Sequence, residues 1–301
     1  MGDPVVSIVG LTKFYGRQRG IVDLDLEVAP GEVFGYLGPN GAGKTTTIRL
    51  LLDYIRPSRG MATVFGLDSH RDSRSIRRRV GYLPGELHLY DTLSGRELIA
   101  YFAALRGGVS AARVEELAER LNCDTGREIR TLSMGNRQKL GLIQALMSDP
   151  ELLILDEPTN GLDPLVQQTF YELVVEARAA GRTVFLSSHV LPEVERVCDR
   201  VGIIREGRLV AIERIADLRA RAMRHLDIEF CRDVPADAFA ALTGVRELVV
   251  QANRLRCTVV GEMDPVIKAA NAFEIRLLTS SEPSLEEVFL AYYGGGTSDA
   301  A

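Results

Sequence analysis

Short apolar runs punctuate the first two thirds of the chain, with longer and more polar segments between them. Runs this short are typical of strands, and continuous ones suit a parallel sheet that is covered on both faces. We predict strands over Val5–Val9, Ile21–Val28, Val33–Leu37, Ala62–Phe65, Val80–Leu83, Leu152–Leu155, Thr183–Leu186 and Val201–Ile204. Glu206-Gly207 predicts a hairpin that joins a strand over 201–205 to one over 208–213. The pattern favours an α/β domain.

A largely helical stretch runs from Gly95 to Met147. Its periodicity is broken at Gly107-Gly108 and again between residues 126 and 135, where glycines recur. The sequence therefore predicts several consecutive helices here, inserted between strands.

Beyond Ile215 the pattern of apolar and polar positions changes. The polar segment Asp217–Arg224 is interpreted as a connection, and the tail Gly294–Ala301 is expected to be frayed. The remaining patterns predict strands at Leu226–Phe230, Leu248–Gln251, Leu255–Val260 and Glu274–Leu278, and helices at Pro235–Leu242, Pro265–Asn271 and Ser284–Tyr293. We predict a domain over residues 1–215 and a small α+β accessory domain over 216–301.

Composition narrows the class of protein. The 301 residues are 46% hydrophobic and 26% charged, which is ordinary for a globular protein, and the net charge of −5 provides no overall basic surface for nucleic acid. No segment approaches the ~20 uninterrupted apolar residues that span a bilayer, and the first residues lack a signal-peptide pattern. The four cysteines are widely spaced, which suits reduced cytosolic thiols.

One octapeptide identifies a ligand. Residues 38–45 match G-x-x-x-x-G-K-[ST], and they follow a predicted strand and open a predicted helix. Glycines allow the backbone to curl so that N–H groups point at phosphates, while Lys44 reaches the outer phosphates and the Thr45 hydroxyl can bind Mg²⁺. The predicted nucleotide-binding residues are Gly38, Pro39, Asn40, Gly41, Ala42, Gly43, Lys44, Thr45 and Thr46. The sequence thus predicts binding of a nucleoside triphosphate.

A second nucleotide signal is the apolar run Leu152–Leu155, which is followed by Asp156 and Glu157. Ligands of open α/β sheets gather at the carboxyl ends of the strands. Asp156 is therefore predicted to hold Mg²⁺, and Glu157 to accept a proton from an attacking water or to orient it.

The segment Leu132-Ser133-Met134-Gly135-Asn136-Arg137-Gln138 precedes that strand. A serine hydroxyl and a glycine amide at the start of a helix can bind an anion. In this order and spacing the segment resembles the signature loop of ABC transporter nucleotide-binding subunits, a resemblance that covers residues 5–213. It implies a P-loop NTPase fold of the ABC ATPase type, with a mixed sheet and a helical subdomain. It also implies that Ser133, Gly135 and Asn136 contact ATP.

Three more positions are assigned by this resemblance. The segment Asn160-Gly161-Leu162-Asp163 is similar to a loop that crosses the dimer interface, so that Asp163 would lie near the nucleotide. His189 resembles the histidine that contacts the γ-phosphate, and Tyr15 stands where the family stacks an aromatic ring on adenine.

One position departs from the family. After Gly81-Tyr82-Leu83-Pro84 the family commonly has a glutamine that reaches the metal and the attacking water, whereas this chain has Gly85. Two explanations are open: Glu86 substitutes from the next position, or a water fills the gap.

The resemblance further implies partners. Each ATP would lie between the phosphate loop of one subunit and the signature loop of another, in a homodimer or a heterodimer with a second ABC ATPase subunit. Glu282–Leu290 resembles the C-terminal extension of drug and antibiotic exporter subunits, which implies a membrane permease and a cytoplasmic, peripheral location on the inner face of the membrane. The alternative is a soluble ABC ATPase that remodels a ribosome, a nucleic acid or a protein complex. The arginines between residues 71 and 79 are interpreted as a solvated face, and no nucleic acid is expected.

Overall fold

The chain divides into two compact units, Met1–Glu213 and a second that begins at Arg214. The computed structural model describes residues 2–221 and 223–281. Over these residues, no helix has the length and apolarity that crossing a membrane requires.

Ten strands begin in the first unit. They are β1 Val6–Tyr15, β2 Gln18–Val28, β3 Val33–Leu37, β4 Arg59–Val64, β5 Leu67–Asp68, β6 Val80–Leu83, β7 Leu152–Asp156, β8 Thr183–Ser188, β9 Arg200–Arg205 and β10 Arg208–Arg214. Its α-helices are α1 Lys44–Leu51, α2 Ser73–Arg79, α3 Gly95–Leu105, α4 Ala111–Arg120, α5 Met134–Leu146, α6 Pro164–Ala179 and α7 Leu191–Val197. The predicted strands are all present, although β1 continues past its predicted end to Tyr15 and β2 begins earlier than predicted, at Gln18.

A six-stranded sheet in the order β10-β9-β3-β8-β7-β6 positions the nucleotide motifs. Its strands β9, β3, β8, β7 and β6 pair in parallel, and every residue of β3, β7 and β8 is buried. Leu37 pairs with Ser188, and Asp156 pairs with Ser187. Because parallel strands end at the same edge, the phosphate loop after β3 and the acids at the end of β7 emerge at one edge of the sheet, on either side of β8.

An antiparallel sheet in the order β2-β1-β4-β5 forms the second layer. Apolar side chains from β1 and β2, such as Ile8 and Leu24, share one core with Ile48 of α1 and with Phe34 and Phe185 of the parallel sheet. Helix α1 is thereby fixed against both sheets by burial of apolar surface.

The predicted helical stretch is broken where its glycines indicated. Helix α3 ends before Gly107 and Gly108, both of which have positive φ. Helix α5 begins only at Met134, after a short 3₁₀ turn at Ile129–Thr131. Helix α3 starts with a capping box in which the amide of Glu97 donates to Ser94 Oγ, at 3.2 Å, and the Ser94 amide donates to Glu97 Oε2, at 2.8 Å.

The arginines between residues 74 and 79 lie on helix α2, which the sequence pattern missed, and Arg71 precedes it. Two of them have structural partners. Arg77 donates to the carbonyl of Leu52 at 2.9 Å, and Arg79 forms a bidentate pair with Glu151 at 2.7 Å. Arg106 of the α3 terminus donates in turn to the carbonyls of Arg77, Arg78 and Val80. Part of this charge therefore serves to hold helix ends together.

The second unit is built on an antiparallel sheet in the order β12-β13-β11-β14. Its elements are α8 Ile215–Arg221, β11 Met223–Phe230, α9 Asp237–Ala240, β12 Val245–Gln251, β13 Arg254–Val260, α10 Asp264–Ala270 and β14 Ile275–Ser281. Phe230, Phe239 and Phe273 pack against one another in its core, with ring centroids about 6 Å apart.

The interpretation of Asp217–Arg224 as a polar connection is wrong. Helix α8 covers most of this segment, and strand β11 has begun by Met223. Ile215 and Leu218 are buried at 4% and 6% exposure, so the helix has an apolar side that the surrounding charges concealed in the sequence. The predicted helix Ser284–Tyr293, the tail and the whole Glu282–Leu290 segment lie outside the described residues.

Candidate nucleotide-binding and hydrolysis site

Different structural constraints require glycine at different positions of the phosphate loop. Gly41 and Gly43 adopt positive φ, at 77° and 112°. Gly38 instead lies so close to strand β9 that a Cβ atom there would be 2.3 Å from the carbonyl oxygen of Ile204. The loop is therefore fixed by local conformation in its second half and by tertiary contact at its start.

Lys44 is the first residue of α1 and is 5% exposed. Its ammonium donates to the carbonyls of Gly38, at 2.6 Å, and Pro39, at 3.3 Å. It also lies 3.1 Å from Oε1 of Glu157. The loop's own carbonyls thus hold this charge at the helix N-terminus, where phosphates bind.

Thr45 and Asp156 meet at the end of the sheet. The Thr45 hydroxyl donates to Oδ2 of Asp156 at 2.7 Å, and the hydroxyl of Ser187, on the adjacent strand, donates to Oδ1. Asp156 is fully buried, so its carboxylate is oriented by these hydroxyls. A hydroxyl and a carboxylate in contact form an all-oxygen donor pair, which suits a hard divalent cation.

Glu157 follows directly and has a left-handed backbone, with φ of 51°. Within the described part of the chain, its buried Oε1 has no hydrogen bond, and the Lys44 ammonium balances its charge. Its Oε2 lies 2.8 Å from Nδ1 of His189, whose side chain is 41% exposed. The structure therefore brings the predicted base and the predicted γ-phosphate histidine together, beside the phosphate loop.

An open cleft of about 430 Å³ extends from these groups along the phosphate loop. Tyr15 stands on its wall at 44% exposure, and its ring is so close to Gly20 that a Cβ there would approach it to 3.0 Å. The lining residues are Tyr15, Gln18, Arg19, Gly20, Pro39, Asn40, Gly41, Gly43, Lys44, Thr45, Thr46, Arg49 and Glu157. Tyr15 and the phosphate loop thus share one cleft, which is what a nucleotide needs if its adenine stacks on Tyr15 and its phosphates lie in the loop.

Ser133, Gly135 and Asn136 are not among the described residues that line this cleft. Ser133 caps α5, and its hydroxyl accepts from the Asn136 amide at 3.3 Å. A Cβ on Gly135 would lie 2.4 Å from the carbonyl oxygen of Gly161. The signature loop is therefore packed directly against the predicted interface loop of the same chain.

Asp163 caps helix α6 by accepting from the Val166 amide at 3.0 Å. Its other oxygen lies 3.8 Å from the ammonium of Lys139 in α5. Like the signature residues, Asp163 is outside the cleft lining within the described chain.

Gly85, the position that departs from the family, faces the predicted metal ligand. A Cβ atom there would lie 3.2 Å from Oδ2 of Asp156 and 3.3 Å from its Cγ. Glu86 is exposed and does not contribute to the cleft. A side chain at residue 85 would thus be directed at the carboxylate, whereas the Glu86 side chain projects into solvent.

Three side chains that hold the site were missed from the sequence. Ser187 orients Asp156, as described above. Gln138 donates to the carbonyls of Glu157 and Pro158. Glu193 accepts from the hydroxyls of Thr159, at 2.5 Å, and Ser188, at 2.8 Å, so it links the segments after β7 and β8. A buried glutamine amid the apolar residues of α5 was the one available signal.

Comparison with known proteins agrees with this geometry. Residues 21–160 match the family model described as ABC transporter. The bacitracin transport ATP-binding protein BcrA of Bacillus licheniformis is 34% identical, with 97% of this chain and 98% of the relative covered. The daunorubicin resistance ATP-binding protein DrrA3 of Streptomyces coeruleorubidus is also 34% identical, with 98% and 97% covered.

Solved structures give the same result for the fold. The structure of an ATP-binding subunit of an ABC transporter is similar with a TM-score of 0.65 and 31% identity, over 71% of this chain and 92% of that chain. The predicted P-loop fold of the ABC ATPase type is confirmed. With relatives at this identity along nearly its whole length, the chain belongs to the ABC transporter ATP-binding proteins and is an ATPase of that family.

Proposed function

We propose that this ATPase drives a separate membrane permease that exports a drug-like or antibiotic molecule. The observation that carries the ATPase chemistry is the convergence of Lys44, Thr45, Asp156 and Glu157 at one sheet edge. The export role rests on similarity to bacitracin and daunorubicin proteins that extends through the second unit.

Binding begins at the phosphate loop. The phosphates of ATP lie against the N-terminus of α1, where Lys44 provides charge-assisted hydrogen bonds to the outer oxygens, and the adenine stacks on Tyr15. Thr45 and Asp156 would hold Mg²⁺, which would neutralise charge on the phosphates. Their oxygen pair is the donor set that this ion prefers.

Hydrolysis follows at Glu157. Its Oε1 is available to accept a hydrogen bond from a water, and it takes the proton as that water attacks the γ-phosphate. His189 holds Oε2 in place, and its assignment as the γ-phosphate contact rests on the family resemblance. Glu157 and His189 are thus assigned as the catalytic residues.

A second ATPase subunit completes the site. Ser133, Gly135, Asn136 and Asp163 lie outside the cleft of their own chain, although they belong to motifs that the family uses at the nucleotide. We infer that they contact the ATP of a partner, which is a second copy or a related ABC subunit. Glu86 is retained as a candidate contact to the attacking water.

The proposed cellular location of the chain follows from its proposed permease partner. A permease exposes its ATPase docking surface at the cytoplasmic side, so the chain is placed there as a peripheral subunit. The alternative of a soluble remodelling ATPase gains no support from the arginine run, because the side chains of Arg77 and Arg79 have structural partners.

The experiment is reconstitution with the permease. The chain is co-expressed with a candidate polytopic permease, and membranes are assayed for ATP-dependent uptake of an antibiotic into inverted vesicles. Transport that is lost in Glu157→Gln and kept in the surface variant Glu172→Gln supports the proposal. ATPase activity without membrane association, or co-purification with ribosomes, contradicts the export role.

A further inference from the structure

Gln138 is one of two buried polar side chains in α5, the other being Lys139. It is 4% exposed, while Leu140, Leu142 and Ile143 nearby in α5 are fully buried. Its side-chain nitrogen donates to the carbonyl of Pro158 at 3.0 Å and to that of Glu157 at 3.2 Å. A buried amide costs free energy unless it is hydrogen-bonded, so these two carbonyls account for its presence.

The two carbonyls belong to the turn that aims the catalytic carboxylate. Glu157 has φ of 51°, a conformation that disfavours any residue with a side chain. Its amide donates to the carbonyl of Ser187 at 3.1 Å, and its carbonyl accepts from the Asn160 amide at 3.3 Å. A strained backbone of this kind persists only where surrounding contacts hold it in place. Gln138 is the side chain of α5 that supplies such contacts here.

We propose that Gln138 is a positioning residue for ATP hydrolysis. From helix α5, it fixes the backbone turn of Glu157. Both of these hydrogen bonds go to backbone carbonyls, so it acts through Glu157 and not on the nucleotide. Because α5 begins at the signature loop, a displacement of that loop is transmitted to the catalytic carboxylate of the same chain. This inference rests on the proposed role of Glu157.

The first test separates rate from binding. Gln138→Met keeps the length of the side chain and removes its donor. We expect kcat to fall about tenfold or more, since small displacements of a catalytic group are costly, while ATP affinity changes less than about twofold. The matched control is Gln168→Met on the exposed side of α6, which should leave both values unchanged.

The second test is a double-mutant cycle with Glu157→Gln, measured as single-turnover hydrolysis with enzyme in excess. If Gln138 acts through Glu157, Gln138→Met causes no further loss once the carboxylate is gone. An equal fold loss in both backgrounds would show a general packing role and overturn the proposal. If Gln138→Met does not fold, Gln138→Asn keeps a buried amide but is one methylene short, and the same pattern is expected from it.

The outcomes also separate this inference from the proposed function. Wild-type kcat in Gln138→Met, together with an inactive Glu157→Gln, overturns the role of Gln138 alone. Wild-type hydrolysis in Glu157→Gln overturns the role of Glu157 and this inference with it.

Discussion

The ammonium nitrogen of Lys44 lies 3.1 Å from Oε1 of Glu157, and the two side chains are only 6% and 13% exposed. The residue proposed to bind the outer phosphates and the proposed base are therefore charge partners inside the protein. Removing either takes a charge partner away from a group that is largely buried, which costs free energy. The two substitutions nevertheless have different consequences, because one removes a phosphate contact and the other a proton acceptor.

Glu157→Gln is expected to abolish hydrolysis while ATP still binds. The amide keeps the shape of the side chain but cannot accept the proton of the attacking water, so the rate should fall at least about 100-fold. A dimer held together by ATP should then accumulate, which size-exclusion chromatography with and without ATP would reveal. Glu172→Gln is the surface control, and a mutant that hydrolyses ATP at the wild-type rate would contradict the assignment.

Lys44→Ala is expected to weaken nucleotide binding itself. It removes charge-assisted hydrogen bonds to the outer phosphates, so the rise in melting temperature produced by Mg-ATP should largely disappear. Lys268→Ala, on an exposed side of α10, should keep the full rise. Undiminished stabilisation in Lys44→Ala would mean that the ammonium does not touch the phosphates.

Glu86→Ala tests whether this carboxylate replaces the missing glutamine. If it orients the attacking water, kcat should fall strongly and ATP affinity should change little, because the contact forms mainly in the transition state. Steady-state ATPase assays across Mg²⁺ concentrations measure both. Wild-type kinetics in Glu86→Ala would mean that Glu86 does not replace the glutamine, and that Gly85 leaves the attacking water without that contact.

Gly85→Gln is the companion variant. Its Cβ would press on an Asp156 carboxylate that Thr45 and Ser187 already fix, so we expect half-maximal activity to need more Mg²⁺. An unchanged Mg²⁺ requirement would show that Asp156 can shift without losing its metal.

Glu176→Gln should alter stability in a pH-dependent manner. A bidentate hydrogen bond from Arg120, at 2.7 Å, lowers the pKa of Glu176 below its ordinary value of 4.5. A carboxyl with a depressed pKa stabilises the fold above the unfolded pKa, and this contribution is lost as the pH falls through the folded pKa. The pair is half exposed, so its contribution to the free energy of unfolding is about 0–1 kcal/mol.

Urea unfolding of wild type and Glu176→Gln measures this contribution. The two proteins should differ near about pH 7 and converge at an acid pH below the lowered pKa of Glu176. An equal difference at both pH values would show that the Arg120 pair does not set it.

The nucleotide motifs were readable from the sequence because their chemistry is local. A loop that wraps phosphates needs contiguous backbone amides, glycines at positive φ and a lysine at the start of a helix, so residues 38–45 specify it almost alone. Asp156 and Glu157 were predicted for the same reason, since the end of a buried strand fixes where its next residues emerge. Glycines likewise marked the breaks in the helical stretch.

Only the tertiary structure revealed what holds these motifs in place. Gln138 and Glu193 act on carbonyls and hydroxyls of segments far away in the chain, and a backbone carbonyl leaves no trace in a sequence. Gly135 is glycine because Gly161 of another loop lies against it, and Gly85 faces Asp156 across two neighbouring strands. Local sequence determines which groups can bind and cleave ATP, whereas the orientation of these groups depends on long-range packing that no local pattern encodes.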